Sequence, residues 1–425
     1  MSNDQIFPHD LDHNDETWIV AESASREVVP ALTDTGFVTL ALLSKLIIRD
    51  LYALHSVISV ADPSYNQTFD LDIAQSVLTP HNLKRFTTTY FRLAHLYIPV
   101  VHMPSFGTDE TSSSLALAVA LFGAAMSPPS DDALSAKGFL RLAEEYIFRN
   151  LAGAVRGGSV PERQELEVMQ AALLVLNVHF LMNDTEARRR NRTRRLPALV
   201  LAVRHFGLYQ TRHSPEASLS QFVRNEHRIR TATWITLADW HQSVMFNALP
   251  VTAISEVQCD LPCPRKLWDK KDATIEDVEV YRQQKQRSPR CLESLKDLVE
   301  TLMGEPWDGI DSFPVNAITM SGLELAIFAI SSIATSAHLM SLMPTSAPGL
   351  LRAISRWREL WEAVAAQRDH ETLQMTAMAR YCGEFCCLVQ KIVEASGSGK
   401  DLPPYLEAAA HDSVAEIHSF IFDSS

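Results

Sequence analysis

Cysteines, a run of arginines and a few paired acids and histidines are the residues of this chain whose types and spacing could do chemistry. A zinc site needs Cys or His at tight spacing to close a tetrahedron. Cys259 and Cys263 are separated and followed by prolines, with no paired histidines downstream. Cys382, Cys386 and Cys387 fall at helical spacing, where cysteine behaves as a small hydrophobe. His95 and His102 straddle Pro99 and share no helical face. No metal site and no cofactor are expected from these residues.

Catalytic patterns fail in a similar way. Gly397-Ser398-Gly399-Lys400 has the shape of a phosphate-loop ending, but Glu394 and Asp401 break the required spacing. No Gly-x-Ser-x-Gly elbow occurs. Helical terpene synthases place metal-binding carboxylates one turn apart. Asp131-Asp132 is followed by Ser135 rather than an acid, and Asn183-Asp184 lacks a matching downstream Ser and Glu. Catalysis is not expected. The sharpest charge feature is Arg188, Arg189, Arg190, Arg192, Arg194 and Arg195, six arginines in eight residues. It could serve nuclear import, touch phosphate, or form a helix face paired with acids elsewhere.

The elements that would position these residues read as helices. Apolar residues recur every three or four positions at Leu43, Ile47, Leu51, Leu54 and Ile58, which predicts a helix over Phe37–Ala61. The pattern continues over His81–Ile98, Ser112–Met126, Ala133–Ala154, Arg163–Met182, Glu186–Tyr209 and Leu219–Leu249. After a break it resumes over Ile275–Leu302, Ala317–Leu342, Leu350–Gln367, Thr372–Ala395 and Tyr405–Phe422. Strand alternation is scarce, and glycine is low at 15 residues. The fold class expected is all-α: one large domain of roughly a dozen helices over 36–425, behind an acidic, poorly ordered leader over 1–35. Pro128-Pro129-Ser130 reads as a loop feeding a helix N-cap, and Cys259-Asp260-Leu261-Pro262-Cys263-Pro264 as an extended crossing.

Composition narrows the class. The 425 residues are 46% hydrophobic and carry a net charge of −13, enough apolar content for a sizeable core and the wrong sign for broad adhesion to nucleic acid. Six irregularly spaced cysteines do not make a disulfide scaffold. The start has no apolar signal region. The apolar runs Leu115–Met126 and 325–334 fall short of the roughly 20 residues a bilayer needs. The expectation is a reduced, intracellular protein with no membrane partner, whose sequons at Asn66, Asn183 and Asn191 carry no meaning.

Two blocks add a resemblance. The first is Tyr90, Phe91, His95, Pro99, His102, Pro104 and Phe106. The second runs Glu226, Arg228, Arg230, Trp234, Asp239, Pro250, Leu261, Pro262 and Trp268. Their order and spacing resemble the regulatory, or middle homology, domain of fungus-specific zinc-finger transcription factors. The Leu-Pro-Cys and Leu-Trp ending is most similar to members with two-Cys two-His fingers. The likeness covers about 80–275 firmly.

The resemblance implies a nuclear regulator of RNA polymerase II transcription of metabolic genes. It also implies a homo- or heterodimer and a metabolite effector. Zinc is expected only in a DNA-binding module, which these 425 residues do not display, so DNA would be reached through a module beyond them or through a partner. The alternative reading is a helical small-molecule binder or enzyme recruited from this domain. The residues of both blocks are read as structural. Pro99 is expected to end the helix carrying Phe91 and His95. Glu226 and Arg230 should pair at i,i+4. Arg228 and Asp239, three turns apart, should each meet another helix.

Overall fold

The computed structural model describes residues 34–61, 65, 68–108, 111–157, 162–182, 184–286, 292–315, 318–366, 379–398 and 401–422. These are overwhelmingly helical, and the one β-bridge, Asp260 to Ser294, is isolated. The expected leader over 1–35 lies almost wholly outside the described residues.

The first half contains α1 (Asp34–Ala61), α2 (Leu71–Val77), α3 (Pro80–Arg92), α4 (Ser113–Ala125), α5 (Asp131–Lys137) and α6 (Leu140–Val155). It continues with α7 (Glu162–Leu181), α8 (Thr185–Arg190) and α9 (Leu196–His205). The long α10 (Leu219–Met245) follows, then α11 (Arg265–Trp268), α12 (Ile275–Gln286) and α13 (Leu295–Met303). The chain closes with α14 (Met320–Leu339), α15 (Met343–Ala366), α16 (Ala379–Gly397), α17 (Pro404–Glu407) and α18 (Ala415–Phe422).

Packing follows the apolar patterns. Helix α4 is buried around nearly its whole circumference and lies against α3 and α7. Helix α7 also touches α6 and α10, and α10 reaches α14, which α15 and α16 flank. Thus α10 joins two helical layers, and one core cluster runs from Leu40 to Val393. Several starts are capped by side chains, with Ser130 accepting from Ala133 N at 3.4 Å as the loop pattern predicts. Helix α14 is long and apolar enough to cross a membrane, unlike the shorter run expected there. Most of its most apolar stretch is buried inside the protein, and small Ser and Thr residues extend it.

Several expected helices are broken. His81–Ile98 stops as α-helix at Arg92, seven residues before Pro99, and His95 sits on a separate 3-10 turn, Ala94–Leu96. The carbonyls of Tyr97 and Pro99 are taken by Trp234 and Arg230, which holds this stretch out of helical register. Ala133–Ala154 divides at Gly138-Phe139. Glu186–Tyr209 contains a π-turn, Asn191–Arg195, just before Pro197, whose missing N–H cannot close an α-turn, and it ends at Gly207 with φ 64°. Ile275–Leu302 and Tyr405–Phe422 each contain two helices, and α2 answers to no expected element. The first part of Thr372–Ala395 lies outside the described residues.

Gly123 marks the tightest approach. A Cβ there would stand 1.8 Å from the carbonyl oxygen of Phe86 on α3. Gly123→Ala should therefore force α3 and α4 apart and lower stability by about 3 kcal/mol in urea unfolding; a loss near zero would show that the two helices separate freely.

Candidate functional site

The two sequence blocks meet around Arg230, a side chain on α10 that is almost fully buried. Its Nε donates to Glu226 Oε1 at 2.7 Å, the expected i,i+4 pair. Its Nη1 donates to the Pro99 carbonyl at 3.2 Å and its Nη2 to the Cys263 carbonyl at 2.6 Å. The guanidinium lies 4.8 Å over the Trp268 ring and 5.6 Å from that of Trp234. Trp234 Nε1 donates to the Tyr97 carbonyl at 3.2 Å. One cation thus fastens the 97–99 turn and the 261–264 crossing to the same helix.

Glu226 is equally engaged. It accepts from Arg230, from Cys263 N at 2.9 Å, and lies 2.9 Å from His213 Nε2. Burial opposes its ionisation, but Arg230 and His213 beside it hold the carboxyl down at about 2. Burial pushes the Cys259 thiol up to about 12 and that of Cys263 well above its ordinary value, so both remain protonated. Among the described residues no group of three or more His, Cys, Asp or Glu could hold a metal ion.

The histidines of the first block are packed against polar and aromatic neighbours. His95 Nε2 is 2.9 Å from Asp269 Oδ1. His102 Nδ1 is 3.0 Å from Ser105 Oγ, and its ring lies 4.4 Å from that of Trp268. Phe91 stands edge-on to His95 and Phe106 at 5.3 and 5.4 Å, and to Tyr90 at 5.1 Å. Pro104 opens the short 3-10 turn Met103–Ser105. Leu261 and Pro262 lie in the crossing whose next residue Arg230 holds.

The other expected pair divides. Arg228 does meet another helix, reaching Glu162 on α7 at 2.9 Å and the Phe206 carbonyl at 2.7 Å. Asp239 makes its hydrogen bonds to a loop rather than to another helix. It accepts from the backbone N–H of Val251 at 3.1 Å and Thr252 at 2.6 Å, closing the turn that Pro250 opens. The partners Asp269 and His213 escaped the sequence reading, because an ion-pair partner distant in the chain leaves no periodic signal. Asp269 directly follows the Leu-Trp ending and was within reach of that block.

The arginine run is drawn inward. Arg190 and Arg195 both grip the buried Glu144 of α6, at 2.7 and 2.6 Å, and His179 lies 3.2 Å from it. Burial works against its charge, yet these partners keep that carboxyl well below the usual carboxylate range. Arg189 and Arg192 hold Asp412, at 2.7 Å from Arg189 Nε and 2.5 Å from Arg192 Nη2. Arg188 is buried, and Arg194 is exposed.

A cavity of about 910 Å³ lies beside this hub. Ala94, Tyr97 and Ile98 of the first block form part of one wall, with Trp234, Ala238 and His241 of α10 next to them. Phe328 of α14, Phe385 of α16 and Ile421 of α18, from the chain's second half, complete the lining, with the Phe328 ring 5.7 Å from that of His241. Burial pushes the His241 imidazole down to about 4, so it is neutral at pH 7. No sequence pattern signals this cavity, since its lining comes from many separate elements.

The Arg230 hub gives a testable consequence. Glu226→Gln leaves a buried, uncompensated guanidinium and should cost about 3–5 kcal/mol at neutral pH. Because the folded carboxyl sits near 2 against an ordinary 4.5, the wild-type advantage is present above 4.5 and fades as pH falls toward 2. Urea unfolding of both proteins at pH 7.5, 4.5 and 3 should show the gap closing. A gap of constant size would mean that Glu226 is not charged in the folded protein.

The chain is 24% identical over 312 residues to the transcription factor verF of Penicillium polonicum, an alignment covering 68% of this chain and 42% of that protein. The chain therefore spans less than half the length of that curated relative. No solved structure matches significantly. The family described as fungal specific transcription factor domain matches residues 87–305, which include both blocks and the whole Arg230 hub, and the chain belongs to that family.

Proposed function

We propose that this chain is the regulatory region of a fungal transcription regulator, working in the nucleus on RNA polymerase II transcription of metabolic genes. The observation that carries this reading is the family match over 87–305, supported by the transcription factor it resembles. DNA would be reached through a zinc module beyond these residues or through a partner, with the chain acting as a homo- or heterodimer and answering to a metabolite. The family is not an enzyme class. Absence of catalysis is supported by the cavity chemistry, where the Cys382 thiol is held protonated by burial and His241 titrates far below neutrality. Deleting the gene should change a coordinated set of transcripts; loss of one metabolite with all transcripts unchanged would indicate an enzyme instead.

The import role of the arginine run rests on its exposed members. Arg189 is 65% exposed even while paired, and Arg194 is exposed, whereas Arg190 and Arg195 are committed to Glu144. Replacing Arg189 and Arg194 with Ala should halve nuclear accumulation of a tagged protein or better, while stability changes by no more than about 1 kcal/mol. An unchanged nuclear signal removes the import role and leaves the run with its internal one.

A further inference from the structure

We propose that the cavity between α10 and the C-terminal helices is a binding site for an uncharged, ring-bearing, mostly apolar small molecule. The claim that this molecule is the regulator's effector rests on the function proposed above; the binding itself does not. A volume of about 910 Å³ lies at the upper end of small-molecule pockets, which run roughly 300–1,000 Å³. The interior is aromatic: Phe180, Trp234, Phe328 and Phe385 all line it. Flat apolar faces of this kind favour stacking against rings.

The polar groups point to a neutral ligand. His241 carries no charge near pH 7. Asn177 uses its amide N–H on the Leu173 carbonyl at 2.8 Å, a bond that does not involve its Oδ1. Lys391 donates to the Phe420 and Ile421 carbonyls, at 2.5 and 3.1 Å, and so holds α18 in place as a wall. Lys137 is partly exposed, and the exposed Glu384 supplies the opposite sign. Among the described lining residues the charged ones, Lys137, Glu384 and Lys391, are all at least partly exposed, so a ligand charge would be desolvated in the aromatic interior without a fully buried counter-ion.

The position explains how occupancy could be felt. Trp234 lines the cavity and also holds the Tyr97 carbonyl, so a ligand there presses on the Arg230 hub. Helix α18, which also lines the cavity, follows Asp412, which Arg189 and Arg192 hold. One molecule would bridge the family-matched half and the C-terminal half.

The test uses two pyrene probes of equal length, 1-pyrenebutanol and 1-pyrenebutyrate, titrated into the purified full chain. Energy transfer from tryptophan to pyrene reads binding. The alcohol should bind saturably at one site, at least about ten-fold more tightly than the carboxylate at pH 7.5. Ala238→Phe and Ala125→Phe, each filling the cavity from a different wall, should each weaken the alcohol at least ten-fold with the thermal unfolding curve preserved. If one variant fails to fold, the other decides. Absence of saturable binding, equal or tighter binding of the carboxylate, or indifference to the cavity-filling change in a folded variant would overturn the proposal. Binding is read on the isolated protein, so its failure leaves the transcriptional reading standing, and a silent transcript response leaves a binder.

Discussion

A single buried guanidinium sets much of this structure. Arg230 cannot shed its proton, so the fold must supply an anion and acceptors for its donors. It does so with Glu226 on the same helix and with carbonyls from two loops far away in the chain. Each loop gains a fixed point it could not obtain from local hydrogen bonding. A buried ion pair contributes little net stability against a well-packed apolar pair, yet removing one partner is costly. Its value here is specification: the 97–99 turn and the 261–264 crossing have one place to sit.

The same device recurs at Glu144, where one buried carboxylate collects Arg190 and Arg195 from the π-turn region. The two hubs lie on different helices and address different neighbours. Around Glu226 the loops of the matched family region are fixed, while Glu144 ties α6 to the stretch following α7. Arg189 and Arg192 extend that second set to Asp412, so the arginine run also locates the segment ahead of α18. A charge run that looks like a solvated or nucleic-acid-facing surface is thereby spent largely on internal order, and the acidic protein supplies its counter-ions.

Helix α10 unites these features with the cavity. Glu226, Arg230, Trp234, Ala238 and His241 follow one another at helical spacing, so successive turns pass from the ionic hub to the apolar pocket. Any displacement of Trp234 is shared between a carbonyl of the first block and the cavity wall. Structural and sensing roles need not fall on separate residues in such an arrangement.

The sequence by itself determined the all-α class, because apolar spacing of three or four residues is a local signal repeated along the chain. It also determined the Glu226–Arg230 pair, which needs only one turn of helix, and the family, whose two blocks keep their order and spacing. Helix ends were less legible: His95 left the helix long before Pro99 because carbonyls there answer to donors on α10. Only the tertiary structure decided what Arg228, Asp239, His95 and the arginine run touch, and that an apolar cavity exists. Those facts depend on atoms brought together from many separate elements, and an ion pair or a void between distant elements imposes no period on the residues that form it.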